Sequence, residues 1–560
     1  MKPVWPEPKI AMRNGQDPAA APVPPPPPTY EKIEEDGMLI ERNVGFRLSH
    51  GATMYFDLYR PAGAAAEVDL PIILAWSPYG KHRTSATFRY PGSGVEDGWM
   101  SRHTAFEAPD PAYWCAAGYA VVYADPPGLW YSEGEMHHGG PQETADCSEF
   151  IEWLGQRPWS NGKVGMSGVS YLTCIQWQVG AQSPPHLAAI NPWEGFSDWY
   201  REFGYHGGLR DTAFVPRATS LINFSTTQTE DTNTNMIAHP LYDEYWASKD
   251  VDLSAIKVPA FVVASWSDHG LHTRGTLEAF KAMSSQQKWL EVHGRKKWGY
   301  YYNPENVARL RQFFDHFLKG TGPGPNAWPK VRLEVRERAY VGTFRNENEW
   351  PLARTDYRSL HLDAASGRLI DTVPVTESQV SYVADDKASS VRFDHVFADG
   401  AELTGTMALR LWVETDRSDD ADLFVAIQKL GADGEAVPFC WYSLYDTGPI
   451  ALGWLRASHR ALDPEKSRPE QPFHTHLKEE MLTPGQPVPV DIEIWASSTH
   501  FAPGEGLRVV VKGSDIYNTV VPGLPMLLHE ETRNRGNHTI RTGGRYDSRL
   551  LVPVIPDRNT

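Results

Sequence analysis

The run Gly165-Met166-Ser167-Gly168-Val169-Ser170-Tyr171-Leu172-Thr173 carries the clearest chemical signal in this chain. It starts within the apolar stretch Val164-Gly165-Met166 and leads into the helix-compatible Cys174-Ile175-Gln176-Trp177-Gln178. A strand, a glycine, a serine and then a helix describe a nucleophile elbow, where a tight turn exposes the hydroxyl near the positive end of the helix dipole. Ser170 suits that place better than Ser167, which stands one residue past the expected strand end and leaves the turn to Gly168. The strict G-x-S-x-G pattern is not met, because Leu172 takes the last glycine's position, and a helix-capping serine gives the same local pattern. Attack on an ester or amide carbonyl also needs a base, an orienting carboxylate and donors for the oxyanion.

The elements that must position such a group follow from hydrophobic patterning. Ile72 to Trp76, Ala120 to Tyr123, Val164 to Met166, Phe261 to Ala264 and Trp289 to Val292 are short apolar runs separated by helical stretches. Runs that are apolar on both faces point to a parallel sheet covered by helices on each side. A helix with Asn303 as its cap, Pro304 at its first position and Gly320 as its stop closes this portion. Residues 196–255, rich in aromatics and helix starts, interrupt the pattern as an inserted cap. After Gly320-Thr321-Gly322-Pro323-Gly324-Pro325 the period becomes two, as in Ala408 to Glu414, Asp491 to Trp495 and Leu507 to Lys512. Many short alternating strands with Gly/Pro turns describe a β-sandwich, read as a jelly roll. The expected organisation is a Pro-rich disordered tail over 1–37, a hydrolase-like α/β domain over 38–195 and 256–325 with a helical cap at 196–255, and a jelly roll over 326–560.

Composition narrows the function classes. A net charge of -17 spread along the chain argues against nucleic acid or anionic lipid as a partner. No apolar run is long enough for a bilayer span, and the N-terminus lacks a secretory pattern, so a cytoplasmic protein is expected. Cys115, Cys147, Cys174 and Cys440 show no C-x-x-C spacing and read as buried free thiols. The pairs His137-His138 and His474/His476 lack a ligand set on one helix face and read as solvated loop histidines. Gly320 to Gly324 lacks the ending of a phosphate-binding loop. No metal or cofactor is implied. The 20 tryptophans serve either as packing mass or as the lining of an apolar pocket.

Several motifs together resemble the cocaine-esterase-like and X-prolyl dipeptidyl peptidase-like serine hydrolases. Gly168-Val169-Ser170-Tyr171-Leu172-Thr173 is similar to that family's G-x-S-Y-x-G elbow, with Thr173 in place of the final glycine. Asp125 to Gly134 resembles its D-x-R-G-x-G-x-S-E-G stretch, with Pro127 for the arginine and Trp130 for the middle glycine. Ser77-Pro78-Tyr79-Gly80-Lys81 is similar to a strand-end segment whose tyrosine helps form the oxyanion hole, and Pro192 to Gly195 and His239-Pro240-Leu241 also match. The resemblance covers roughly residues 38–555 and implies an α/β-hydrolase domain followed by a jelly roll.

It also implies site roles. Ser170 would be the nucleophile, the Tyr79 hydroxyl and the Tyr171 backbone N–H the oxyanion donors, and Asp268, after the strand at 261–264, the orienting carboxylate. The family's histidine follows the next strand in a G-P-W-x-H context, but here that strand leads into His293-Gly294-Arg295-Lys296-Lys297-Trp298-Gly299-Tyr300. His293, at the strand end, is the first choice of base, His269 and His272 are the alternatives, and Lys296 or Lys297 would serve in a Ser-Lys variant. The expected activity is cleavage of an ester or amide in a small acyl or peptide-like substrate through an acyl-Ser170 intermediate. A non-hydrolytic acyltransferase and a silent binding protein on the same scaffold are the rival readings, and a homo-oligomer is compatible with each.

Overall fold

The computed structural model describes residues 5–17, 27–63, 69–81, 92–222, 224–517 and 527–556. Its central sheet includes β1 (Met38–Arg47), β2 (Thr53–Pro61), β3 (Leu70–Trp76), β4 (Ala120–Asp125), β5 (Ser160–Val169), β6 (Leu187–Trp193), β7 (Ala260–Ser265), β8 (Lys288–His293), β9 (Val331–Arg338) and β10 (Val341–Glu347). Their spatial order is β1-β2-β4-β3-β5-β6-β7-β8-β9-β10. The pairs from β4 through β9 are parallel, and antiparallel pairs close both edges. Each apolar run read from the sequence lies inside one of these strands, and β3, β4 and β7 are buried along their whole length. That burial follows from helices on both faces, which leave no side of such a strand facing water.

Five helices matter for the site: α1 (Pro141–Gly155), α2 (Tyr171–Gln182), α3 (Thr273–Ala282), α4 (Lys297–Tyr301) and α5 (Pro304–Phe314). In α5 the Asn303 side chain caps the first turn by accepting the Glu305 N–H, and a short π-helical turn carries the chain to Gly320, which ends it at φ 69°. The segment 196–255 contains a π-helical turn at Trp199–Gly204, helices at Phe214–Ile222, Thr232–Ala238 and Glu244–Ala247, and short strands. Trp76, Trp114, Trp177, Trp193, Trp246 and Trp266 are fully buried, so these tryptophans serve as packing mass.

Beyond β10 the chain is mostly β. The long strands Ala401–Thr415 and Val488–Phe501 pair antiparallel around their own apolar core, which includes Leu409, Leu411, Ile492 and Ile494. Past the Gly/Pro stretch at 320–325 the central sheet continues, because β9 pairs parallel with β8 and buries Val331 and Leu333 in the same core. The stretch read as a disordered tail carries strands at Met12–Asn14, paired with Gln228–Glu230, and at Glu31–Glu35, paired with β1. Ile33 anchors the second of these against the core, while Pro24 to Pro26 lie outside the described residues.

The two regions are sewn together by buried charge. The Arg336 guanidinium on β9 donates to Ile450 O at 3.1 Å and Ser498 O at 3.2 Å, and Arg274 on α3 donates to Glu202 at 2.6 Å and Glu493 at 3.0 Å. Gly165 lets α5 and the turn after it lie directly on β5: a Cβ there would stand 2.9 Å from Phe314 Cε1 and 3.0 Å from Leu318 Cδ1. Gly165→Val is expected to overpack this contact at a cost of about 1–3 kcal/mol, measured as a lower urea midpoint.

Candidate active site

The carboxyl ends of β3, β5 and β7 deliver three segments to one place, as expected at the crevice where an open parallel sheet changes strand order. At the end of β5, Ser170 takes φ 61° and ψ -117° and opens α2 without capping it through its side chain. Its N–H donates to Glu194 O at 2.9 Å and Trp193 O at 3.2 Å, which holds the turn from the side of β6. Gly168 is required beside it, because φ is 148° and a Cβ would stand 2.4 Å from Leu172 Cδ2.

The threonine that replaces the family's last glycine is accommodated by a different glycine. Thr173 Oγ1 accepts the Trp193 N–H at 2.7 Å and lies 2.9 Å from Trp193 O and 3.1 Å from Gly168 O. Its methyl occupies space that a side chain at 195 would need, since a Cβ on Gly195 would stand 2.4 Å from Thr173 Cγ2. Ser167, the rival serine, is buried inside β5 with its hydroxyl on Asn191 and Tyr301, at 2.9 and 3.0 Å.

The imidazole beside Ser170 comes from His272. Its Nε2 lies 3.1 Å from Ser170 Oγ, and its Nδ1 is hydrogen-bonded to Asp268 Oδ2. With Nδ1–H directed to the carboxylate, Nε2 is left as the acceptor that faces the hydroxyl. Asp268 and His272 occupy one turn after β7, where Asp268 O also accepts the His272 N–H at 3.1 Å. Spacing of four residues therefore suffices to bring carboxylate and imidazole together, and it was the available signal for this pair.

His293, the first choice of base, is placed elsewhere. It ends β8 fully buried, accepts the Arg295 N–H on Nδ1 at 3.1 Å, and faces Glu194 Oε1 with Nε2 at 3.0 Å. Its ring lies on Tyr300 at 3.8 Å between centroids, so both faces of the assignment, nitrogen and ring, are used for packing beneath the site. His269 also points away, with Nδ1 accepting the Leu452 N–H at 3.4 Å and its ring against Trp495. Lys296 pairs with Asp446 at 3.1 Å. Lys297 reaches the site from the first residue of α4, with Nζ 3.5 Å from Asp268 Oδ2 and 3.4 Å from His272 Nδ1.

Facing this row is Tyr79, whose hydroxyl lies 3.5 Å from Ser170 Oγ. The Tyr171 N–H opens α2 and belongs to the first turn, whose amides have no partner inside a helix. The turn bearing Tyr79 is held by Asp125, which accepts the Lys81 N–H at 2.9 Å, and by Trp130, whose indole donates to Pro78 O at 3.2 Å. Trp130 stands where the family pattern has glycine and keeps the left-handed backbone, at φ 55°.

Burial governs the electrostatics. It raises the Tyr79 phenol well above its ordinary value, with Glu107 adding to the effect, so the group stays a donor. Burial also pushes Glu107 up to about 7, against the pull of Lys297 and hydrogen bonds from Trp298 and Tyr79. For Asp268, burial disfavours the charge, but Lys297 and His272 outweigh it and hold the carboxyl below its usual range. His272 is lowered by burial and by Lys297, against the opposing pull of Asp268, and is therefore a neutral acceptor at neutral pH. Glu107 had no motif to reveal it: it sits at φ 62° in an irregular segment, its Oε1 on Trp298 Nε1 at 2.9 Å.

Among the described residues no group of three His, Cys, Asp or Glu side chains is placed to hold a metal ion. The histidines read as solvated are mostly buried: His138 lies against the Tyr171 hydroxyl at 3.3 Å, and the His474 and His476 rings lie 5.8 Å apart at a tilt of 44°, so protein groups replace their water. Cys115, Cys147, Cys174 and Cys440 are free and buried. No helix among the described residues is long and apolar enough to cross a membrane.

Comparison with known proteins adds to this geometry. The X-Pro dipeptidyl-peptidase (S15 family) signature matches residues 50–233 and 210–296, and the X-Pro dipeptidyl-peptidase C-terminal non-catalytic domain matches 326–551. A CocE/NonD family hydrolase from Staphylococcus aureus superposes with a TM-score of 0.89 at 40% identity, over 92% of this chain and 94% of that one. Cocaine esterase from Rhodococcus sp. is 25% identical over 92% of this chain and 98% of its own length. A Xaa-Pro dipeptidyl-peptidase from Lacticaseibacillus paracasei is 23% identical over 73% of this chain and 60% of its own.

Gly80 offers a test of how Tyr79 is held. Its φ is +92° and a Cβ would stand 2.3 Å from the Trp130 indole. Gly80→Ala is expected to slow labelling of Ser170 by a fluorophosphonate about tenfold or more, and adding Trp130→Gly should restore part of the rate.

Proposed function

The chain belongs to the CocE/NonD family of serine hydrolases, and from that premise we propose that it cleaves carboxylic esters through an acyl-Ser170 intermediate. The observation that carries this reading is the contact of His272 Nε2 with Ser170 Oγ at 3.1 Å, with Asp268 bonded to the far side of the ring. In the proposed cycle His272 takes the Ser170 proton as Oγ attacks the carbonyl carbon. The oxyanion receives the Tyr79 O–H and the Tyr171 N–H, and the imidazolium returns its proton to the leaving alcohol. Water, activated by the same imidazole, then attacks the acyl-enzyme and releases the acid.

The role of base passes from His293 to His272, since a ring engaged with Arg295 N–H, Glu194 and Tyr300 has no nitrogen directed at Ser170. An ester is taken as the first substrate to test because cocaine esterase is 25% identical over 92% of this chain. The aromatic surroundings of the site, with Phe196 stacked 6.2 Å from the His272 ring and Phe106 5.0 Å from Tyr79, suit an apolar or ring-bearing acyl group. For the architecture, we read the sheet order with its Ser, Asp, His sequence at strand ends as an α/β-hydrolase domain, and the C-terminal region as a jelly roll.

Turnover of p-nitrophenyl butyrate, compared with an X-Pro p-nitroanilide, tests the reading. Ser170→Ala and His272→Ala are expected to lose at least about three orders of magnitude in kcat/KM, and Ser170→Ala to abolish fluorophosphonate labelling by intact mass. His293→Ala should retain labelling wherever it folds. Absence of labelling in the native protein would favour the silent binding reading, and product only in the presence of an added alcohol would favour the acyltransferase.

The pH profile supplies a separate check. Only the neutral imidazole accepts the Ser170 proton, so activity falls as His272 becomes protonated. Because burial and Lys297 lower its pKa, the acidic limb of kcat/KM is expected below the ordinary histidine range of about 6.5.

A further inference from the structure

Lys297 is the cation of this site, and the proposed cycle assigns it no step. Its side chain is 4% exposed, and its ammonium stands 3.5 Å from Asp268 Oδ2, 3.4 Å from His272 Nδ1 and 4.0 Å from Glu107 Oε1. It also lies over the Trp298 ring, 4.9 Å from the centroid. Asp268 places one oxygen on His272, and the Ser443 side chain also favours its charged form, yet the carboxylate is buried. A buried carboxylate so placed is costly unless a countercharge stands beside it. Glu107, the second carboxylate at the ammonium, holds the Trp298 indole and faces the Tyr79 hydroxyl. One ammonium thus joins the half of the site that takes the proton to the half that binds the oxyanion.

We propose that Lys297 is a positioning residue for the reaction: its buried ammonium keeps Asp268 charged and His272 a neutral acceptor toward Ser170, which extends activity into mildly acidic solution. This inference rests on the acyl-Ser170 reading for its meaning in catalysis, though not for its physical content. An ammonium beside Nδ1 disfavours the imidazolium, and a carboxylate bonded to Nδ1 favours it. The groups facing His272 are Asp268 from its own turn, Lys297 from α4, Ser170 from the elbow and Glu194 from the end of β6. Glu194 and Asp268 pull toward the protonated ring, and Lys297 is the opposing charge among these four. Lys297 itself keeps its proton, because Asp268, Glu107 and Glu194 outweigh the effect of its burial, so it does not serve as the base.

The experiment is a titration of His272 by imidazole NMR on the full chain, assigned by its loss in His272→Gln, together with the pH profile of kcat/KM. In Lys297→Met the imidazole is expected to titrate at least about one pH unit higher, and the acidic limb of kcat/KM to move up with it. Lys297→Arg should keep both near the native values, which loss of packing alone would not produce. Should Lys297→Met fail to fold by circular dichroism, Lys297→Gln is read in the same way. An unchanged His272 titration in a folded, neutralised variant overturns the proposal. If the native protein turns over no ester, the acyl-enzyme reading fails while the titration still decides the role of Lys297.

Discussion

A serine adopts φ 61° and ψ -117° only where its surroundings over-determine the backbone, since an L-residue resists that conformation by one to a few kcal/mol. Here the surroundings are specific. The Ser170 amide is held by two carbonyls at the end of β6, Gly168 removes the side chain that would strike Leu172, and Thr173 clamps the turn to Trp193. The contacts of Ser170 with His272 and Tyr79 both depend on this bend. The same bend sets the Ser170 hydroxyl beside the first amides of α2, so one local constraint fixes both the hydroxyl and the N–H groups that the proposed acyl chemistry would use.

Charge is the second organising element, and it is buried. Asp268, Glu107, Glu194, Lys297, His272 and His293 are all nearly inaccessible to water. Such groups are tolerated when each has a partner, and the partners divide the cluster in two. Asp268, His272, Lys297 and Glu107 lie around Ser170, while His293 and Glu194 form a separate pair, with Ser265 donating to Glu194 at 2.7 Å. The second pair braces the ends of β6, β7 and β8 and thereby the turn that carries Asp268.

The β-rich region takes part in this arrangement. Ser443 N–H donates to Ser267 O at 3.1 Å, next to Asp268, and Arg336 ties the last parallel strand of the central sheet to carbonyls at 450 and 498. Glu493 completes the ion pairs of Arg274, which lies two residues along α3 from His272. Removing such partners would leave charges unpaired inside the protein, so the two regions depend on each other at the point where the imidazole enters the site.

Much of this was legible in the residues. Apolar runs bounded by turn residues marked β3, β4, β5, β7 and β8, because a strand buried on both faces needs apolar side chains along its whole length. The elbow was legible because a glycine before a serine at a strand-to-helix bend is a local requirement of the backbone. The source of the imidazole was not. His293 and His272 both stand near strand ends, and what separates them is which neighbour distant in sequence faces the ring Nε2, Glu194 for one and Ser170 for the other. That β9 and β10 join the central sheet was hidden for a related reason, since Gly and Pro stop a helix without saying which sheet the next strand will join. Local conformation and burial pattern are written in short stretches of sequence; the pairing of buried polar groups is decided by elements that meet only when the chain is folded, because the energy of such a group depends on its partners and not on its own type.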